Sequence, residues 1–222
     1  MTTPAPAPFQ FIGCVELRQA LDHRARDERE LLDRLEDVPA GSVFYHTHGY
    51  FLRHRPITTA YGNDFAAWAA VQVRDQVLAE RLAVINPFEM ASLEDLREEL
   101  MSAIHDHLLR LSTIPRVEFG EAFHFQQSHI VEVPLGTVVN TLAEFRAGLA
   151  EVDASAIYFH MVEARARLGR RSGDFAEWIR TSLQLPALAE GVERIDAYMT
   201  SLERVRARVL VLVDSALEES GA

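Results

Sequence analysis

The chain of 222 residues contains no lysine; all 22 of its basic residues are arginine. That absence removes Schiff-base lysine chemistry and a phosphate-gripping P-loop, and no G-x-x-x-x-G-K segment occurs. Cysteine is almost absent as well. The single Cys14 permits no intrachain disulfide, which fits a reducing compartment, so a cytoplasmic location is expected. Long apolar runs are missing: none approaches the roughly 18 residues that a bilayer span requires. The opening MTTPAPAPF lacks the apolar stretch of a signal peptide and reads as a disordered Pro/Ala tail over 1–8. Positive charge is in deficit, with 33 acidic residues and a net charge of −11. That balance argues against nucleic acid or an anionic membrane as partner. What remains is a chain with 48% hydrophobic residues, enough for one large core or two small ones.

Self-comparison organises the rest. Shifted by 114 residues, Phe9, Phe11, Leu35, Val38 and His46 fall on Phe123, Phe125, Leu149, Val152 and His160. Four extra residues in the first copy then change the offset to 110, and NDFAAW overlies GDFAEW. After one further slip SLEDLR overlies SLERVR. The reading is two tandem copies, 9–112 and 123–218, joined by 113–122. Each copy has mostly helical periodicity. Leu17, Leu21, Leu31 and Leu35 mark a first helix, matched by Val138, Leu142, Phe145 and Leu149. Ser42 and Ser155 are expected to open a second helix, Asn63 or Asp64 (Gly173 or Asp174) a third, and Pro186 to sit in the first turn of a fourth. Ser92 and Ser201 open the last, where SLED has capping-box spacing. FQF and FHF suggest a short extended segment leading each copy. The expected fold is therefore all-α: two copies of a roughly five-helix unit with pseudo-twofold symmetry.

The segments SVFYHTHGYFLRH, NDFAAW and LAERLAVI, with their counterparts SAIYFHMVEARARLGRRSGDFAEWI and LAEGVERIDAY, resemble an uncharacterised prokaryotic family of duplicated helical proteins. The resemblance covers most of the chain. It implies no catalytic residues, and members of such a family look like neighbours of carbohydrate-active genes such as those of glycosyltransferases. Gly173 departs from the pattern by standing where the first copy has Asn63.

The histidines divide into shared and unshared. His46 and His160 occupy one inward face in both copies, which points to buried rings bonded to Asp64 and Asp174. Tyr50 and His54 replace Ala164 and Leu168, leaving a polar stripe of His46, Tyr50 and His54 in the first copy alone. These residues with Asp64 are the candidate ligand-binding set, either a pocket or a satisfied polar core. Metal spacing is poor, since no HExxH occurs and His46 and His54 lie about 80° apart around a helix. In IHDHL, His105 and Asp106 read as a solvated helix end, although adjacent His-Asp pairs also hold metal in some phosphohydrolases. Arg165, Arg167, Arg170 and Arg171 read as a charged face, Trp68 and Trp178 as core anchors, and Cys14 as inert.

The function expected from these residues is non-catalytic: a helical binding or regulatory module for a protein partner, with a carbohydrate-active enzyme as one candidate. No catalytic residue, metal or cofactor is expected, and a homo-oligomer is compatible with the sequence. The alternative is a metal-dependent hydrolase using His46, His54, His105 and Asp106.

Overall fold

The computed structural model describes residues 7–53, 61–165, 172–198 and 200–221. Two strands, β1 (Phe9–Ala25) and β2 (Phe123–Val139), each 17 residues long, pair in an antiparallel two-stranded sheet. The all-α expectation is thereby overturned: the protein is mixed α/β, 56% helical and 18% strand. Leu17, Leu21 and Val138, expected in helices, belong to strands. The error has a physical source. Strands announce themselves by alternating burial, but here burial concentrates at the ends; Val15 and Leu17 are more than half exposed, and Val131 and Val133 in the middle of β2 are exposed as well. The midsections therefore carry no period-two signal.

The chain forms two compact units, 16–130 (the N-unit) and 1–15 with 131–222 (the C-unit). The N-unit contains α1 (Glu28–Asp37), α2 (Ala40–His46), α3 (Tyr50–Arg53), α4 (Asp64–Trp68), α5 (Gln76–Ala83) and α6 (Leu93–Leu108). It also holds Phe123 and Phe125 of β2. Its core joins Leu31, Leu35, Phe65, Leu78, Leu100 and Phe125, all fully buried. The C-unit contains α7 (Leu142–Glu151), α8 (Ala154–Tyr158), α9 (Asp174–Thr181), α10 (Pro186–Glu193) and α11 (Leu202–Gly221). Its core takes Phe9 and Phe11 of β1 together with Phe145, Leu149, Phe175 and Val209. Each set of helices is thus completed by the opening phenylalanines of the other sequence copy.

Local chemistry explains the helix boundaries. Asn63 Oδ1 accepts from Ala66 N–H at 2.8 Å, and Ser92 Oγ accepts from Asp95 N–H at 3.0 Å, as N-caps do. Pro186 sits in the first turn of α10. Ser42 and Ser155 lie inside their helices, whose N-caps are Pro39 and Asp153. After α4 and α8 the chain widens into π-turns, Ala69–Val73 and Phe159–Glu163. Arg74, after the first of these, and Gln184, after α9, take left-handed φ values of 68° and 58° at positions that align between the copies. A buried arginine from the last helix closes the end of the first in each unit. Arg97 Nη1 donates to the carbonyls of Leu35 and Val38, and Arg206 Nη1 donates to that of Leu149.

Candidate functional site

Two histidines clip the strand to the helices in the same way. In the N-unit, His46 Nε2 accepts the backbone N–H of Gln126 at 3.0 Å, while Nδ1 lies 2.9 Å from Asp64 Oδ2. In the C-unit, His160 Nε2 accepts the N–H of Ile12 at 2.9 Å, and Nδ1 lies 2.9 Å from Asp174 Oδ2. A backbone amide can only donate, so Nε2 must be unprotonated and the proton resides on Nδ1, facing the carboxylate. Both rings are buried and surrounded by aromatic groups: Phe123 and Phe65 around His46, Phe9 and Phe175 around His160. Burial pushes the His46 ring below its ordinary pKa, against the upward pull of Asp64. The neutral ring that the hydrogen bonds demand is therefore also the one the environment favours.

Trp68 and Trp178 support the clips. Each is buried, with Nε1 donating to a backbone carbonyl near the start of the adjoining strand, Glu121 at 3.1 Å and Ala7 at 2.7 Å. Ala7, within the segment expected to be a disordered tail, is thus a hydrogen-bond acceptor in the C-unit.

The N-unit adds polar groups around its clip. Arg53 stacks over the Tyr45 ring at 3.8 Å and donates to Asp64 Oδ2 at 2.6 Å and to the Tyr45 carbonyl at 2.8 Å. Glu16, buried 3.5 Å from Arg53, completes the group. Burial raises its pKa while Arg53 opposes the shift. Gly49 is required here: a Cβ would lie 2.7 Å from the Tyr45 carbonyl and 2.8 Å from the Arg53 guanidinium. Gly173 has a similar necessity in the C-unit, where a Cβ would stand 2.6 Å from the His160 carbonyl. That contact accounts for the loss of asparagine there. An open cleft of about 480 Å³ is lined by Tyr45, His46, Arg53, Asp64, Trp68 and His124, among others.

Of the candidate ligand-binding set, His46 and Asp64 meet at this cleft. Tyr50 is buried at 1% exposure, its ring 6.1 Å from Phe51, and does not line it. The continuous stripe fails because the helix breaks after His46: Gly49 N–H reaches back to the Phe44 carbonyl and α3 begins anew at Tyr50. His54, Arg167, Arg170 and Arg171 lie outside the described residues. Arg165 donates to the Glu193 carbonyl at 3.2 Å. Cys14 is buried, its Sγ 3.6 Å from the Ser155 carbonyl.

His105 and Asp106 are exposed on α6, and neither joins His46 in a cluster that could hold an ion among the described residues. Their neighbour His107 is instead buried. Its Nε2 lies 2.9 Å from Asp75 Oδ2 and 3.6 Å from Glu28 Oε2. Burial, reinforced by the Asp75 charge, pushes the Glu28 carboxyl up to about 8. Burial also works against the Asp75 charge, but hydrogen bonds from Leu78 N–H and His107 outweigh it and leave that pKa lowered. Reading by motif missed this trio because its members come from a helix start, a helix cap and a helix end far apart in sequence. One signal was available. In the second copy the aligned residues are Leu142, Leu185 and Ala216, three polar positions turned apolar together.

The fold and clips define a duplicated α/β protein in which each helical unit is completed by a swapped strand. The chain belongs to a family of unknown function, DUF5752, whose model matches residues 6–214. It is similar to OrfY from Thermoproteus tenax, a solved structure, at 27% identity over 96% of this chain and 97% of that one, with a TM-score of 0.82. No match was found among curated proteins.

Proposed function

We propose that the protein is a non-catalytic binding or regulatory module for a protein partner, with a carbohydrate-active enzyme as the first candidate. One observation carries this reading: the two shared histidines, His46 and His160, have no nitrogen to spare. A general base must offer a free lone pair to substrate, and in His46 and His160 that lone pair holds a backbone N–H. The same arrangement in both units is what a packing device requires. The net charge of −11 supports a protein partner over nucleic acid. No helix among the described residues is long and apolar enough to cross a membrane. Together with the lone buried Cys14, this supports a cytoplasmic setting. Self-association is compatible with the reading.

The test has two arms. Proteins captured from the native host would be purified and recombined with this chain, with stoichiometry measured by light scattering. A defined hetero-complex is expected. The chain would also be assayed alone on phosphoester, glycoside and ester substrates. Turnover that disappears in a folded His46→Gln variant would overturn the proposal.

A further inference from the structure

From the Glu28–Asp75–His107 trio we infer that the N-unit holds a divalent transition-metal ion between the start of α1, the cap of α5 and the last turn of α6. One ligand atom from each residue lies within 4.8 Å of the other two. Four-coordinate zinc, with bonds of about 2.0–2.2 Å, sets its ligand atoms about 3.3–3.6 Å apart. The separations from His107 Nε2, 2.9 Å to Asp75 Oδ2 and 3.6 Å to Glu28 Oε2, bracket that spacing.

Glu28 makes the case more than a cluster of acids. Its side chain is 0% exposed and neither carboxylate oxygen accepts a hydrogen bond, and the side chain it pairs with, Asp75, favours the protonated acid over the carboxylate. A buried, unsatisfied carboxylate is among the costliest groups a fold can carry. Asp75 offers it no donor: Oδ1 takes the Leu78 N–H and Oδ2 faces His107. Without an ion Glu28 is held largely protonated beside Asp75; a divalent ion would displace that proton and neutralise the two carboxylates, with His107 as the neutral third ligand. The mixed nitrogen and oxygen set suits zinc, iron(II) or manganese, whereas calcium and magnesium prefer oxygen alone.

The C-unit shows that the fold does not need these groups. With Leu142, Leu185 and Ala216 at the equivalent places, the same helices form without them; Leu142 is buried at 8% exposure. The polar set in the N-unit therefore answers to a ligand. Since the ligand side chains are nearly closed to solvent, at 0%, 11% and 4% exposure, the ion staples three elements together.

The test compares the full chain with two variants. One, Glu28→Leu/Asp75→Leu/His107→Ala, copies the second repeat; the other, Glu28→Gln, changes a single ligand while keeping its shape. Each is stripped with chelator, incubated with zinc, manganese or magnesium, dialysed, and assayed for bound metal and Tm. The wild type is expected to retain one zinc or manganese ion per chain and to gain several degrees in Tm. The triple variant should retain none and not respond, and Glu28→Gln should bind at least about tenfold more weakly. Should the triple variant fail to fold, Glu28→Gln carries the comparison. A wild type that retains neither ion with unchanged Tm overturns the inference, as does retention of magnesium alone or equal binding by wild type and the variants.

Discussion

The N-unit and C-unit use one plan with different polar content. Both bury two strand phenylalanines, both pin the strand through a histidine held by aspartate, and both close the first helix with an arginine from the last. Around the clip and the start of the first helix, the N-unit is the more polar. Tyr45, Gln126, Glu16 and the Glu28–Asp75–His107 trio correspond to Phe159, Ile12, Ile130, Leu142, Leu185 and Ala216. A duplicated protein thereby supplies its own control: shared groups are what the fold requires, and polar groups found in one copy are what it carries beyond folding.

The largest effect should fall on the shared core. Phe125→Ala and Phe11→Ala each remove a fully buried ring, and losses of about 3–5 kcal/mol are expected for both. Urea denaturation measures them. Similar losses would sharpen the equivalence, whereas a negligible loss in one unit would break it.

Next come the clips. His46→Ala and His160→Ala each leave a void, a carboxylate with one hydrogen bond fewer and a stranded backbone N–H, and about 1–3 kcal/mol is expected from each. Thermal denaturation of both variants checks the pair. Full stability in either one would remove its histidine from the structural role.

The clip also has a pH signature. The folded pKa of His46 is lowered relative to 6.5, so below that pH the unfolded chain binds the proton more readily than the folded one. Its contribution to stability is therefore complete above about 6.5 and is lost as pH falls through the folded pKa. The raised pKa of Glu28 tilts stability in the opposite direction over part of this range. The readout is accordingly the difference between wild type and His46→Gln, measured by denaturation from pH 7.5 to 5. That difference should shrink with acidity; one that grows would contradict the assignment.

The smallest effect tests an unshared group. Tyr45→Phe copies Phe159 and removes one half-exposed hydrogen bond to Gln126 Oε1. A loss of about 0.5–1.5 kcal/mol is expected by chemical denaturation. No measurable loss would show that the hydroxyl adds nothing beyond the phenylalanine of the C-unit.

Much of this plan is legible in sequence, and the gaps have causes. The offsets place Asn63, Ser92 and Pro186 at helix starts because capping is a local interaction, read from neighbours. The His46–Asp64 and His160–Asp174 pairs are legible because each is repeated. The strands are hidden because a two-stranded ribbon leaves its middle uncovered on both faces, so Leu17 and Leu21 mimic a helical phase by chance. The break after His46 is hidden because helical phasing assumes an uninterrupted helix, and Gly49 is needed where Arg53 and a carbonyl approach. The Glu28–Asp75–His107 trio is a product of tertiary packing and has no local spacing to betray it.

The direct test of the clips is the protonation state of their rings. Long-range nitrogen–proton correlation spectra at pH 6 on the folded full-length chain resolve tautomer and charge for each histidine. Both His46 and His160 should appear neutral with the proton on Nδ1, because Nε2 holds a backbone N–H in each unit. A positively charged ring, or a proton on Nε2, in either residue would contradict the structural assignment and reopen that histidine as a reactive group.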